Sequence, residues 1–263
     1  MPKIGPRRRR MRWPAAVLIS ISGIIATALL RASLPSDGTA AEGFPRGEEE
    51  ALAVYRLLGP EPPLGASVAL ARDGTASIDK AHGLGLPHGA VWVLVVDARS
   101  RALMLRRSPD ARTCPSAWMF VGEHQRAGEG ARACAARAVV EELGGGGGVA
   151  AAWWASRAAL DGSLVNLTAT PRFERHDWPD GRVDREVSST LALLLRDEAR
   201  GVPLALDGDA REHRWVELDE LERWLADAPA DFCDEAVRVF TRLGVASLRR
   251  VLEARRPSAA DIK

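Results

Sequence analysis

Two hydrophobic periods divide most of the chain. Residues 91–96 form an apolar, β-branched run, residues 97–100 are polar and small, and residues 102–105 are apolar again, so two paired strands are expected there. In residues 129–143 the period changes: Ala136, Val139, Val140 and Leu143 recur at i, i+3, i+4 and i+7, the spacing of one buried helix face. The glycines at 144–148 should stop that helix and form an elongated flexible loop. They do not suit a phosphate cradle, because no strand precedes them and no lysine follows. Leu52, Val54, Tyr55, Leu57 and Leu58 predict a short amphipathic helix over residues 48–58, closed by Gly59 and Pro60. Strands are expected over 166–173 and 187–195 and helices over 219–226 and 234–255, with no internal repeat.

The leader departs from this pattern. Arg7, Arg8, Arg9, Arg10 and Arg12 precede an uncharged apolar stretch at 13–30, about the length that spans a bilayer core. With the positive charge on its N-terminal side, the first reading is a single-pass membrane anchor with the body across the membrane. A secreted or lumenal protein cleaved near Thr39, Ala40 and Ala41, or an organellar one, is the alternative. The chain then divides into a leader at 1–31, a linker rich in Ser, Pro, Gly and Ala at 32–45, a catalytic domain at 46–255 and a frayed tail at 256–263.

Composition narrows the classes. Of 263 residues, 46% are apolar and 27% charged, enough to bury a core. A net charge of +1 argues against a nucleic acid polymer as partner. Cys114, Cys134 and Cys233 are far apart and odd in number, supporting neither a disulfide framework nor a CxxC zinc site. The sequon at Asn166, Leu167 and Thr168 falls in an expected strand and is expected to be silent.

Candidate chemistry gathers at residues 122–144. Glu129, Arg137, Val139, Glu141, Glu142 and Gly144 stand at the spacings of Gx5Ex7REUxEExGU, where U is a bulky aliphatic residue. Positions 138, 141 and 142 share a helix face, and crowded carboxylates there would gather a hard divalent cation, Mg²⁺ or Mn²⁺, that grips a diphosphate. Arg137 lies four residues before Glu141 and could orient it. The pattern resembles the Nudix superfamily. Departures are Glu123 for the first glycine, Ala138 for a glutamate and Gly145 for the last aliphatic residue. The resemblance implies an α/β fold, a Nudix-type α/β/α sandwich with a mixed curved sheet, here preceded by the N-terminal hydrophobic helix.

The stretch from Leu86 through CPSAW and GEH to GRVDREV resembles, over about residues 66–196, the isopentenyl-diphosphate isomerase branch of that superfamily. The likeness implies metal ligands at His88, His124, Asp184 and Glu186, with His82 a weaker match. Neutral imidazole suits Mn²⁺, Zn²⁺ or Fe²⁺, and Asp184 and Glu186 at i and i+2 would point to one side of a strand. His176 and His213 are assigned to the surface. That branch also needs a cysteine just before the histidine of the loop, and the loop here reads Phe120, Val121, Gly122, Glu123, His124. Without this thiol, isomerisation ranks second. Hydrolysis of a small-molecule diphosphate, nucleotide or prenyl-type, ranks first. Glu141 and Glu142 would hold metal, and Glu186 or Glu142 would accept the proton of water. Arg107 and Arg112 could clamp the outer phosphate, with Arg137 a further binding candidate. A catalytically degenerate, membrane-tethered binding protein is the third reading.

Overall fold

The computed structural model describes residues 51–255 apart from 161, 179, 197 and 198. Its first half comprises β1 (Ala51–Leu57), β2 (Leu70–Ser77), α1 (Ile78–Leu84), β3 (His88–Val96), β4 (Arg101–Arg107), β5 (Trp118–Met119) and β6 (Val121–His124). Helices α2 (Ala131–Gly144) and α3 (Gly148–Ala159) follow, then β7 (Leu164–Asn166), β8 (Arg172–Asp177) and β9 (Val183–Leu194). The last elements are β10 (Ala210–Glu217), α4 (Leu218–Asp227), α5 (Asp234–Leu243) and α6 (Val245–Arg255).

The central strand is β3, buried along its whole length. It pairs antiparallel with β4 and β6 and parallel with β9, so the sheet is mixed; β10 extends it beyond β4, and β1 with β2 lies on the other side. Because strand side chains alternate, β3 feeds two cores. Val91, Val93 and Val95 pack with Cys134, Ala138, Val139 and Trp154 of α2 and α3. Trp92, Leu94 and Val96 pack with Leu221, Val239, Phe240 and Leu248 of α4, α5 and α6. Helices on both faces of a mixed sheet make the expected α/β/α sandwich.

Residues 51–57 form a strand, where a helix was expected. All of β1 pairs antiparallel with β2, and Ala53 N–H donates to the Gln125 carbonyl on the other edge. Partners distant in sequence thus satisfy the backbone, and they outweigh a local helical spacing. The glycine run ends α2 through Gly145, in the left-handed conformation at φ 61°. No elongated loop follows, since α3 starts at Gly148. Gly144 explains the tight reversal: a Cβ there would lie 2.5 Å from the Ala151 Cα of α3, so the two backbones meet where only glycine fits. The strand expected at 166–173 is split between β7 and β8, and the last long helix is broken at Gly244 into α5 and α6.

The membrane assignment is corrected. Among the described residues no helix is long and apolar enough to cross a membrane. The hydrophobic helix at 13–30 and the frayed tail at 256–263 both lie outside the described residues. The cysteine expectation is also revised: Cys114 and Cys233, 119 positions apart, form a disulfide with Cα atoms 5.4 Å from each other, while Cys134 is buried and free. Sequence spacing could not reveal that pair, because the sheet and α5 bring its halves together.

Candidate functional site

Three structural ends meet at the start of β3. Helix α1 carries His82 on its last turn, and Gly85, left-handed at φ 59°, turns the chain toward His88, the first residue of β3. Parallel pairing sets Glu186 of β9 opposite His88, and antiparallel pairing sets His124 of β6 opposite Ala90. Asp184, two residues before Glu186, shares its side of β9. Donor atoms of His82, His88, His124 and Asp184 all fall within 4.8 Å of one another. His88 Nε2 is 3.2 Å and His82 Nε2 3.7 Å from Asp184 Oδ1, and His124 Nε2 is 3.6 Å from Glu186 Oε1.

The chemistry of this cluster is that of a cation site. His88 Nδ1 donates to the Leu86 carbonyl at 2.9 Å, which leaves its Nε2 lone pair facing the other donors. His82 Nε2, His88 Nε2, Asp184 Oδ1 and Glu186 Oε2 are buried with no hydrogen-bond partner. Groups of this kind cost free energy when buried unpaired, and a divalent ion would satisfy all of them. Burial pushes His82 below the ordinary histidine range, and burial together with His88 lowers His124 to about 3, so both imidazoles are neutral as ligands must be. Burial opposes ionisation of Asp184, but the imidazoles gathered beside it, His88 foremost, outweigh it and hold its carboxyl low. Glu186 is raised well above the usual carboxylate range by burial and then by Asp184.

Helix α2 contributes differently from its sequence reading. Glu142 faces the same cleft as the histidines, together with Asp207 and Asp209 from the segment before β10. Burial first, then Asp207, raises its carboxyl to about 8. Glu141 is not among the residues lining the cleft; Arg137 and Arg126 hold it at 2.9 and 3.3 Å. Arg137 likewise points away from the cleft into a carboxylate clamp, binding Glu129 at 2.9 Å, Glu123 at 3.3 Å and the His124 carbonyl at 2.7 Å. It locks the loop that delivers His124 onto α2. Ala138 is fully buried in the α2 core, so position 138 does not join Glu141 and Glu142 on one open face.

The cleft encloses about 370 Å³. Arg107 and Arg112 line it; Arg107 Nε donates to the Thr113 carbonyl at 2.8 Å, and exposed Arg112 lies 3.6 Å from Asp79. Trp118 is instead a buried anchor packed edge-on to Trp224. His213 is exposed as expected, but His176 is not simply a surface residue: it lines the cleft, 3.4 Å from Glu235. Trp178, packed edge-on to His82, and the Cys114–Cys233 disulfide complete the wall. Sequence reading missed Asp207, Asp209, Trp178 and Glu235 because they come from segments with no distinctive spacing. Gly122 forms part of the floor, where a Cβ would lie 2.8 Å from the Trp92 ring.

The family model for the NUDIX domain matches residues 86–235, more than half of the 263-residue chain. The chain is 30% identical over 176 residues to an isopentenyl-diphosphate Delta-isomerase of Cereibacter sphaeroides, covering 63% of this chain and 88% of that one. Among solved structures it is similar to a NUDIX hydrolase from Alicyclobacillus acidocaldarius, with 15% identity, TM-score 0.43, and 59% and 90% of the two chains covered. A Nudix hydrolase from M. smegmatis, RenU, matches at 17% identity and TM-score 0.39, over 75% and 98% of the two chains.

Proposed function

The chain belongs to the Nudix superfamily, as an enzyme of its hydrolase class, and we propose that it cleaves a diphosphate linkage in a nucleotide or prenyl-type small molecule with Mg²⁺ or Mn²⁺ as cofactor. One observation carries this reading: the orphaned, buried donors of His82, Asp184 and Glu186 lie on the cleft that also holds Glu142, with the orphaned His88 Nε2 buried directly behind them, 3.2 Å from Asp184 Oδ1. His124 completes the donor set. Three imidazoles among the donors suit Mn²⁺ better than Mg²⁺, which prefers oxygen alone. A bound ion supplies charge neutralisation on the diphosphate and acidifies a water molecule.

The chain's own side chains do the rest. Glu142 and Glu186 face the cleft, and burial favours their protonated forms; beside a bound cation they ionise, and each is then placed to accept a proton from water during attack at phosphorus. Arg107 and Arg112 bind the outer phosphate. Glu141 and Arg137 act through position, holding the His124 loop on α2 instead of touching substrate or metal.

A panel of nucleoside and prenyl diphosphates, incubated with the purified chain and Mn²⁺ or Mg²⁺, tests the reading through phosphate release. Glu142→Gln and Glu186→Gln should each slow turnover by about 10²–10⁴-fold. Equal turnover by Glu142→Gln and the parent would sink the reading. The isomerase relative supports a second reading, in which an allylic double bond moves with no phosphate released. Against it, Gly122 leaves no space beside Trp92 for a reactive side chain, and Cys114 and Cys233 are joined to each other. Isopentenyl diphosphate converted to dimethylallyl diphosphate in the same assay would favour that second reading.

A further inference from the structure

The hydrolytic reading leaves one wall of the cleft unused, where the disulfide, Glu235 and His176 meet. We propose that Cys114, Cys233 and Glu235 form a thiolate metal site that takes a thiophilic divalent cation such as Zn²⁺ once the disulfide is reduced, with water from the cleft completing its coordination. The sulfurs and a Glu235 oxygen lie within 4.8 Å of one another. Glu235 Oε2 is 2.8 Å from Cys233 Sγ and 3.8 Å from Cys114 Sγ, and neither sulfur of a disulfide has a proton to offer it. Two thiolates and a carboxylate are a ligand set for Zn²⁺ and a poor one for Mg²⁺. His176 Nδ1 lies 3.4 Å from Glu235 Oε1.

The backbone holds both cysteines in place. Cys114 and Ser116 flank Pro115 with φ of 48° and 63°, a left-handed backbone that is unfavourable for a residue with a Cβ. Arg107 to the Thr113 carbonyl and Ser116 N–H to the Ser108 carbonyl stabilise that turn. Cys233 caps the N-terminus of α5, where the helix dipole favours a thiolate, and its N–H donates to the Trp118 carbonyl at 2.9 Å. Reduction by a phosphine breaks the S–S bond with two electrons from phosphorus, whose oxide takes its oxygen from water, and leaves one proton on each sulfur. Binding of the cation then releases both protons to solvent. An ion so held ties the loop bearing Arg112 to α5 across the cleft mouth.

The test uses the full chain, reduced with a phosphine, freed of reductant anaerobically and titrated with Co²⁺ as a spectroscopic probe. A thiolate-to-cobalt charge-transfer band should appear in the reduced protein, survive His88→Ala and be absent from the oxidised protein. It should disappear in Cys114→Ser and Cys233→Ser and weaken in Glu235→Gln. Cobalt bound with no such band would overturn the proposal. Should the serine variants fail to fold, alkylation of the reduced parent decides: Zn²⁺ must protect Cys114 and Cys233 against iodoacetamide, and unchanged labelling overturns the site. Neither readout depends on hydrolytic activity, so this site and the hydrolase reading can fail separately.

Discussion

Glu142 illustrates how one side chain reports on the whole cleft. Its carboxyl is raised to about 8 by burial and by Asp207, against an ordinary value of 4.5. A carboxyl raised in the folded state stabilises the protein fully below the unfolded pKa and loses that contribution as pH rises through the folded pKa. The metal-free chain is therefore expected to lose stability between about pH 4.5 and 8 on account of Glu142, and Glu142→Gln should flatten that slope in urea-unfolding midpoints. His124 works in the opposite direction. Its pKa is lowered to about 3 by burial and by His88, so its contribution is present above the unfolded value of 6.5 and is lost as pH falls toward 3. Substituting His124 by Ala should remove that acid-side loss, again in the metal-free protein. A midpoint profile whose slope is unchanged in both variants would contradict these assignments. Glu142 was legible as a candidate through the spacing of its helix motif, and His88, His124, Asp184 and Glu186 through the likeness to the isopentenyl-diphosphate isomerase branch. The pairing of Arg137 with Glu141 was legible from their i, i+4 spacing, whereas their further contacts with Glu123, Glu129 and Arg126 in the adjoining loop were not.

At the scale of elements, α2 and α3 make a clear test of packing against propensity. Replacing a helical glycine by alanine ordinarily stabilises by about 0.5–1 kcal/mol. At Gly144 the sign should reverse, because the added methyl would meet the Ala151 backbone at 2.5 Å and the helices cannot separate without opening the core around Trp154. Gly144→Ala is expected to destabilise by about 1–3 kcal/mol in chemical denaturation, whereas Gly147→Ala, with open space around its Cβ, should be close to neutral. Strand β1 teaches the complementary lesson. Its residues match a helical spacing, yet their backbone partners come from β2 and from the loop at 125–127, none of which a local window contains. The paired strands β3 and β4 were readable as two apolar runs on either side of a short polar turn, and the helix α2 because its period persists over one buried face.

For the whole molecule, the decisive prediction is linkage between metal and stability. At a Mn²⁺ concentration of about 100 times Kd, binding to the histidine cluster should add about 2.7 kcal/mol, visible as a higher Tm that chelation reverses. His88→Ala should abolish the Mn²⁺ response, and His213→Ala, exposed on β10, should leave it intact. An equal response in all three proteins would place the ion elsewhere.

The sequence by itself determined the main elements and the chemical inventory: β3 and β4 by their apolar runs, α2 by its 3.6-residue period, and a set of histidines and carboxylates whose types suit a divalent ion. Only the tertiary structure decided which of them meet. Parallel pairing of β3 with β9 brings Glu186 to His88 and Asp184 within reach of its ring, the turn after α1 brings His82 to them, and α5 carries Cys233 to Cys114. The reason is physical: periodicity is set by a residue's neighbours in the chain, whereas strand order and helix docking follow from burying two cores at once, a condition that no local stretch of residues contains.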